Sequence, residues 1–184
     1  MEYLDIVDDH GLPTGNIIER SEAHKNGVLH RTSHIWIIRK SGDKYQVLLQ
    51  KRSADKDSYP GRYDTTSAGH ILAGDEPLDS AIREFSEELG LSARKEDLQF
   101  IGNFHINYKE TFYGKLFWDN EFAFVYLYTG HLNLGNIKLQ PEEVERVDWF
   151  DLEEVYQECN QQSPEFCVPI EGLRLLRQYI KLYL

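Results

Sequence analysis

An α/β or α+β fold, a mixed sheet with helices packed on it, is what the sequence predicts, and three observations predict it. β-Branched and aromatic runs of strand length alternate along the chain with stretches of helical periodicity. The hydrophobic fraction is 41%, with eleven Tyr, nine Phe and three Trp, which suits a core-forming chain and exceeds what disordered segments carry. The length of 184 residues is ample for one core, so residues 1–184 are expected to form a single domain.

Taken in order, HIWIIRK (34–40) and YQVLLQKR (45–52) read as strands joined by the turn signal Ser41-Gly42-Asp43, an antiparallel hairpin. After Pro60 and Gly61, YDTTSAGHI (63–71) reads as a further strand. Residues 77–89 read as a helix, because Leu78, Ala81, Ile82, Phe85 and Leu89 recur at helical spacing and form a stripe to be buried. Pro77 suits its first turn and Gly90 its end. DLQFIGNFHINY (97–108), EFAFVYLYTGHL (121–132) and ERVDWFDL (145–152) supply more strands. INYKETFYGKLFWDNE (106–121) alternates poorly and reads as a loop, its aromatics either stacking a ligand ring or pinning the loop to the sheet. EEVYQE (153–158) and GLRLLRQYIKLYL (172–184) read as helices.

The formal net charge of -11 argues against nucleic-acid polymers and anionic membranes as partners, since both need a basic footprint. A small anion remains a suitable ligand if metal ions and a few Arg or Lys supply local positive charge. The N-terminus lacks a basic region followed by an apolar run, and no stretch approaches the roughly 18 apolar residues of a membrane span, so a cytoplasmic location is expected. Cys159 and Cys167 are expected to be buried or half-buried free thiols, too few and too far apart for a zinc or CxxC site. His10, His34, His105 and His131 read as structural or surface residues.

On the surface left by the buried stripe of the 77–89 helix, Glu84, Glu87 and Glu88 sit at i, i+3 and i+4. Like charges at that spacing cost a few tenths of a kcal/mol per pair, and a divalent cation would offset the repulsion. The wider pattern is Gly69, an acidic residue six positions on (Asp75), and Arg83-Glu84-Phe85-x-Glu87-Glu88-x-Gly90-Leu91 eight positions after that. It resembles the signature box of the Nudix hydrolases, with Asp75 where Glu is usual. The resemblance implies a Nudix-type α/β/α sandwich with a mixed sheet. It also implies hydrolysis of a diphosphate linkage in a nucleoside diphosphate derivative or other small organic diphosphate. The implied cofactor is Mg²⁺ or Mn²⁺, held by Glu84, Glu87, Glu88 and a loop carbonyl at Ala68 or its neighbour, with Arg83 orienting a glutamate.

A finer resemblance, to the Nudix branch related to isopentenyl diphosphate isomerase, covers most of the chain. Its markers are Ala23-His24, Leu29-His30, Arg52 and Lys56 before Tyr59-Pro60-Gly61, Gly69-His70, and Trp118-Asp119-Asn120-Glu121. It implies a second metal site at His24, His30, His70 and Glu121, with Asp119 as a fifth ligand. It implies diphosphate binding by Arg52 and Lys56. Imidazole and carboxylate together suit Mn²⁺, Zn²⁺ or Fe²⁺ better than Mg²⁺. Ala68 stands where the isomerase has its catalytic cysteine, and the box helix is intact, so hydrolysis is favoured over isomerisation and over a non-catalytic nucleotide or sugar-diphosphate sensor. The general base is Glu84 by family analogy, with Glu121 or an acid of QPEEVERVDW (140–149) as alternatives. A homodimer is a possible assembly.

Overall fold

The computed structural model describes residues 1–184. An antiparallel hairpin comes first, β1 (Tyr3–Val7) and β2 (Pro13–Glu19), and leads into a short helix, α1 (Arg20–Asn26). The Glu19 carboxylate caps α1 by accepting from the backbone N–H groups of Ser21 and Glu22. None of these three elements is among those expected from the sequence.

β3 (His30–Trp36) and β4 (Ile38–Ser41) follow, and here the expected 34–40 strand divides. Only β4 forms the predicted hairpin with β5 (Lys44–Arg52), whereas β3 belongs to another sheet. The chain crosses between sheets at Ile37, whose N–H donates to Thr66 Oγ1 at 3.0 Å and whose carbonyl accepts from Leu48 N at 2.9 Å. The N–H is thus satisfied by a side chain and the carbonyl by β5, which lets the crossing be buried. YDTTSAGHI divides in the same way, into β6 (Tyr63–Asp64) paired with β5 and β7 (Ser67–His70) paired with β3.

The 77–89 helix forms as expected, α2 (Pro77–Leu89), with Ala81, Phe85 and Leu89 buried and Leu78 and Ile82 packed against the same cluster. β8 (Leu98–Phe112) and β9 (Lys115–Tyr128) form a long antiparallel hairpin, so residues 106–121 are strand and not loop. Its turn places Tyr113 and Gly114 at φ of 51° and 76°. Two positive φ values match the right-handed twist of the flanking strands. β10 (Val144–Asp151), α3 (Leu152–Asn160) and α4 (Ile170–Tyr183) complete the chain.

One four-stranded sheet runs β7-β3-β9-β8, and a second runs β10-β5-β4 with β6 also paired to β5. The β3–β9 pair is parallel and the other pairs are antiparallel, so the sheet is mixed. One core cluster joins α2 to both sheets through Ile35, Leu48, Phe85 and Tyr126. A second joins α3 and α4 to them through Trp36, Leu49, Val125, Val155, Leu173 and Leu176. Helices therefore cover opposite sides of the paired sheets. No helix is long and apolar enough to cross a membrane.

Candidate active site and metal centre

A cleft of about 280 Å³ opens where α2, β7, β9 and the loop after β5 meet. Glu84, Glu87, Glu88, Arg83, Ala68, His24, His70, Glu121, Asp119, Arg52 and Lys56 all line it. His30, fully buried, stands behind the wall with its ring 4.9 Å from that of His24 and 5.2 Å from that of His70.

The box glutamates do not form one exposed acidic face. Glu88 is buried, Glu84 has 16% of its side chain exposed, and Glu87 has 52%. The i, i+4 pair Glu84 and Glu88 faces inward, while position i+3 has rotated to the rim. Glu88 Oε2 accepts from Gln50 Nε2 and from the Ala68 N–H, each at 3.2 Å, so β5 and β7 both fix it. Burial, reinforced by the charge of Glu84, pushes its carboxyl up to about 7. Glu84 is raised by burial and by Glu87, against the opposing pull of Arg83. Two buried acids of raised proton affinity are groups that a cation would hold ionised.

Arg83, expected to orient a glutamate, contacts two of them. Its Nη1 lies 2.7 Å from Glu84 Oε1 and 3.0 Å from Glu87 Oε2, and its Nη2 donates to the His70 carbonyl at 3.0 Å. One guanidinium therefore ties two box carboxylates to the loop. The box glycine has an equally local reason. A Cβ on Gly69 would sit 2.1 Å from Glu84 Cδ and 2.5 Å from both of its oxygens. Gly69→Ala should displace the Glu84 carboxylate and lower turnover by about 10- to 100-fold, with little change in melting temperature. Wild-type turnover in that variant would separate the glycine from Glu84 positioning.

β3 and β9, paired in parallel with His30 opposite Glu121, bring the second cluster together. One ligand atom from each of His24, His30, His70 and Glu121 lies within 4.8 Å of all the others. His24 Nε2 is 3.1 Å from His70 Nε2, and Glu121 Oε1 is 3.7 Å from both His30 Nε2 and His70 Nε2. The His30 Nδ1–H donates to the Val28 carbonyl at 2.8 Å, which leaves Nε2 as the free lone pair facing the cluster. His30 Nε2, His24 Nδ1 and Asp119 Oδ1 are buried with no hydrogen-bond partner. Buried orphans of this kind, converging on a carboxylate, fit a cation.

The charge states agree with that fit. Burial, then the neighbouring His30, pulls His24 down to about 4, and burial likewise holds His70 well below its ordinary value, so both are neutral near pH 7. Burial raises Glu121, but the facing His30 and His70 imidazoles outweigh it and hold the carboxyl well below its usual range. Asp119 is pushed up by burial and by Glu121. Asp119 lies outside the four-atom group, with Oδ1 3.5 Å from His24 Nδ1.

Opposite the box helix, Arg52 is held by Asp64 at 3.0 Å and by Ser58 O and Oγ at 2.9 and 3.0 Å, while Lys56 pairs with Glu143. Of the acids in 140–149, Glu143 is the one that lines the cleft. Among the lining residues not assigned to a site from the sequence are Arg20, His34 and Cys167. Arg20 reaches the cleft from α1, a helix too short to show a period. His34, read as a structural or surface residue, is buried in the wall. Cys167, distant from Ala68 in sequence, lines the same cleft, its thiol pushed well up by burial and by Asp64. Of the aromatics, Phe117 stacks on His24 at 4.2 Å, and Tyr59 and Tyr108 face each other at 5.6 Å across the cleft wall.

A model of the NUDIX domain matches residues 28–166. "Nudix hydrolase 3" of Arabidopsis thaliana is 41% identical over 167 residues, covering 90% of this chain, although the chain spans only 21% of that relative's length. An isopentenyl-diphosphate Delta-isomerase of Serratia proteamaculans is 30% identical over 167 residues, 91% of this chain and 86% of the relative. The fold matches that of a crystallised Deinococcus radiodurans protein at a TM-score of 0.71 and 18% identity, covering 97% of this chain and 99% of the other. With the signature box, the cleft and the matched domain in agreement, this chain belongs to the Nudix family.

Proposed function

We propose that the protein is a metal-dependent diphosphohydrolase that cleaves a diphosphate linkage in a nucleoside diphosphate derivative or another small organic diphosphate. The observation that carries this reading is the convergence, in one cleft, of box carboxylates on one wall with Arg52 and Lys56 on the other. Glu84, Glu87, Glu88 and the Ala68 carbonyl would hold Mg²⁺ or Mn²⁺, and His24, His30, His70 and Glu121 a second cation. When bound, a divalent cation supplies charge neutralisation and a water of lowered pKa. Arg52 and Lys56 bind diphosphate oxygens. Arg83 keeps Glu84 and Glu87 in position. Glu84 takes the proton of the attacking water, with Glu121 as the alternative acceptor on the facing strand.

A second reading, isomerisation of an isoprenoid diphosphate, draws support from the imidazole–carboxylate cluster and from the Serratia relative. Against it stands Ala68 in the place of the thiol. Cys167 reaches the cleft but is held protonated by its surroundings. The deciding experiment is a screen of nucleoside diphosphate derivatives, dinucleotides and isoprenoid diphosphates with Mg²⁺ or Mn²⁺ in ¹⁸O-water. Hydrolysis puts label on one phosphorus and splits the substrate, whereas isomerisation leaves the mass unchanged. Absence of ¹⁸O-labelled phosphate products across the panel would overturn the hydrolase reading.

A further inference from the structure

Four cations line the cleft, and each is matched to a carboxylate: Arg20 to Asp57, Arg52 to Asp64, Lys56 to Glu143, and Arg83 to Glu84 and Glu87. A diphosphate that docks on this wall must therefore take a cation from an acid already holding it. The four pairs are not equally able to open. Arg83 makes three contacts, counting the His70 carbonyl, and Arg52 makes three, counting both Ser58 oxygens. The Arg52–Asp64 side chains are only 14% and 15% exposed, and separating a pair that buried leaves uncompensated charge. Arg20 is shared between Asp57 at 3.0 Å and Glu2 at 3.6 Å. Lys56 has one side-chain partner, Glu143, and an ammonium group carries three donors. Glu143 is 37% exposed, so water can solvate it once it leaves.

We propose that Glu143 is a built-in competitor of the substrate diphosphate, holding Lys56 until a diphosphate displaces it. The backbone around the pair supports an exchange by side-chain rotation alone. The Ser53 N–H donates to the Glu143 carbonyl at 3.0 Å, Ser53 Oγ to the Glu142 carbonyl at 2.6 Å, and the Gln140 N–H to the Glu88 carbonyl at 3.1 Å. The loop bearing Glu143 is thus fastened both to the start of the Lys56 loop and to the end of the box helix. Glu143 is a specificity device in consequence: a ligand must present enough negative charge to outbid a carboxylate for Lys56, which monoanions do poorly.

The inference rests on the diphosphohydrolase reading for its substrate class, and its test uses inorganic pyrophosphate so that the two can fail separately. Mg²⁺-pyrophosphate would be titrated calorimetrically into wild type, Glu143→Gln, Lys56→Met and the double variant, with melting curves to establish folding. Glu143→Gln should tighten binding about 5- to 10-fold, because Lys56 no longer has to be released from a carboxylate. In the Lys56→Met background the same change should gain less than about twofold, since the contested cation is gone. Unchanged or weaker binding in Glu143→Gln overturns the exchange, as does an equal gain with and without Lys56. Failure of pyrophosphate to bind any of the four proteins also overturns it. A wild type that binds pyrophosphate with the expected pattern but hydrolyses no organic diphosphate overturns the hydrolase reading alone.

Discussion

Replacing Glu88 by Gln is expected to lower kcat by about 10²- to 10⁴-fold under saturating Mg²⁺, with the melting temperature of the metal-free protein unchanged or slightly raised. Glu88 is 4% exposed, and its carboxylate is aimed by Gln50 and by the Ala68 N–H. A Gln side chain keeps the shape and one acceptor for those donors, so the fold should tolerate it. It removes a buried negative charge close to that of Glu84, which is why the metal-free stability should not fall. It also removes the hard anionic oxygen that a divalent cation requires. Kinetics at several Mg²⁺ concentrations, paired with thermal melts in chelator, separate the two effects. Wild-type turnover in Glu88→Gln would defeat the assignment of the box carboxylates to metal. A fall in metal-free melting temperature as large as a core deletion would show that Glu88 is structural instead.

The box was legible because its residues lie within one helix and the loop before it, so spacing in sequence is spacing in space. Glu84, Glu87 and Arg83 could be placed on α2 by counting, whereas how deeply each glutamate is buried depends on the strands beside the helix. The strands were harder for a chemical reason. Along β9 the inward positions are Asp119, Glu121, Ala123 and Val125, and on β3 the buried run includes His30, Thr32 and His34. Where a strand faces a polar cleft, the apolar alternation that marks a half-buried strand is replaced by acids and imidazoles. The β8–β9 turn was hidden differently. It places Tyr113 at positive φ, where an Asn or Asp before Gly is the recognisable signal. The split of 34–40 at Ile37 depends on a Thr66 hydroxyl 29 residues away, which no local window contains. The fold class survives such errors because it depends on which runs are apolar, not on where each strand changes sheet.

His70→Ala should abolish one equivalent of Mn²⁺ binding, or weaken it by about 10²- to 10³-fold, while leaving the metal bound by the box glutamates in place. The cluster is suited to a cation in the resting protein because its charges are already set. His24 and His70 are kept neutral by burial, so their lone pairs are available near pH 7, and Glu121 is kept ionised beside them. Thr32 Oγ1 donates to Glu121 Oε2 at 3.1 Å, leaving Oε1 for the cation, as the Val28 carbonyl leaves His30 Nε2. The competing account is that three imidazoles simply pack together, His30 on His70 at 5.2 Å and His24 on Phe117 at 4.2 Å. Packing predicts a loss of stability in His70→Ala that is the same with and without Mn²⁺. A metal site predicts that Mn²⁺ raises the melting temperature of wild type much more than that of the variant. The comparison is repeated in a Glu88→Gln background, where the box contributes equally little to both proteins. Identical Mn²⁺ stoichiometry and affinity in the two would reduce the cluster to packing.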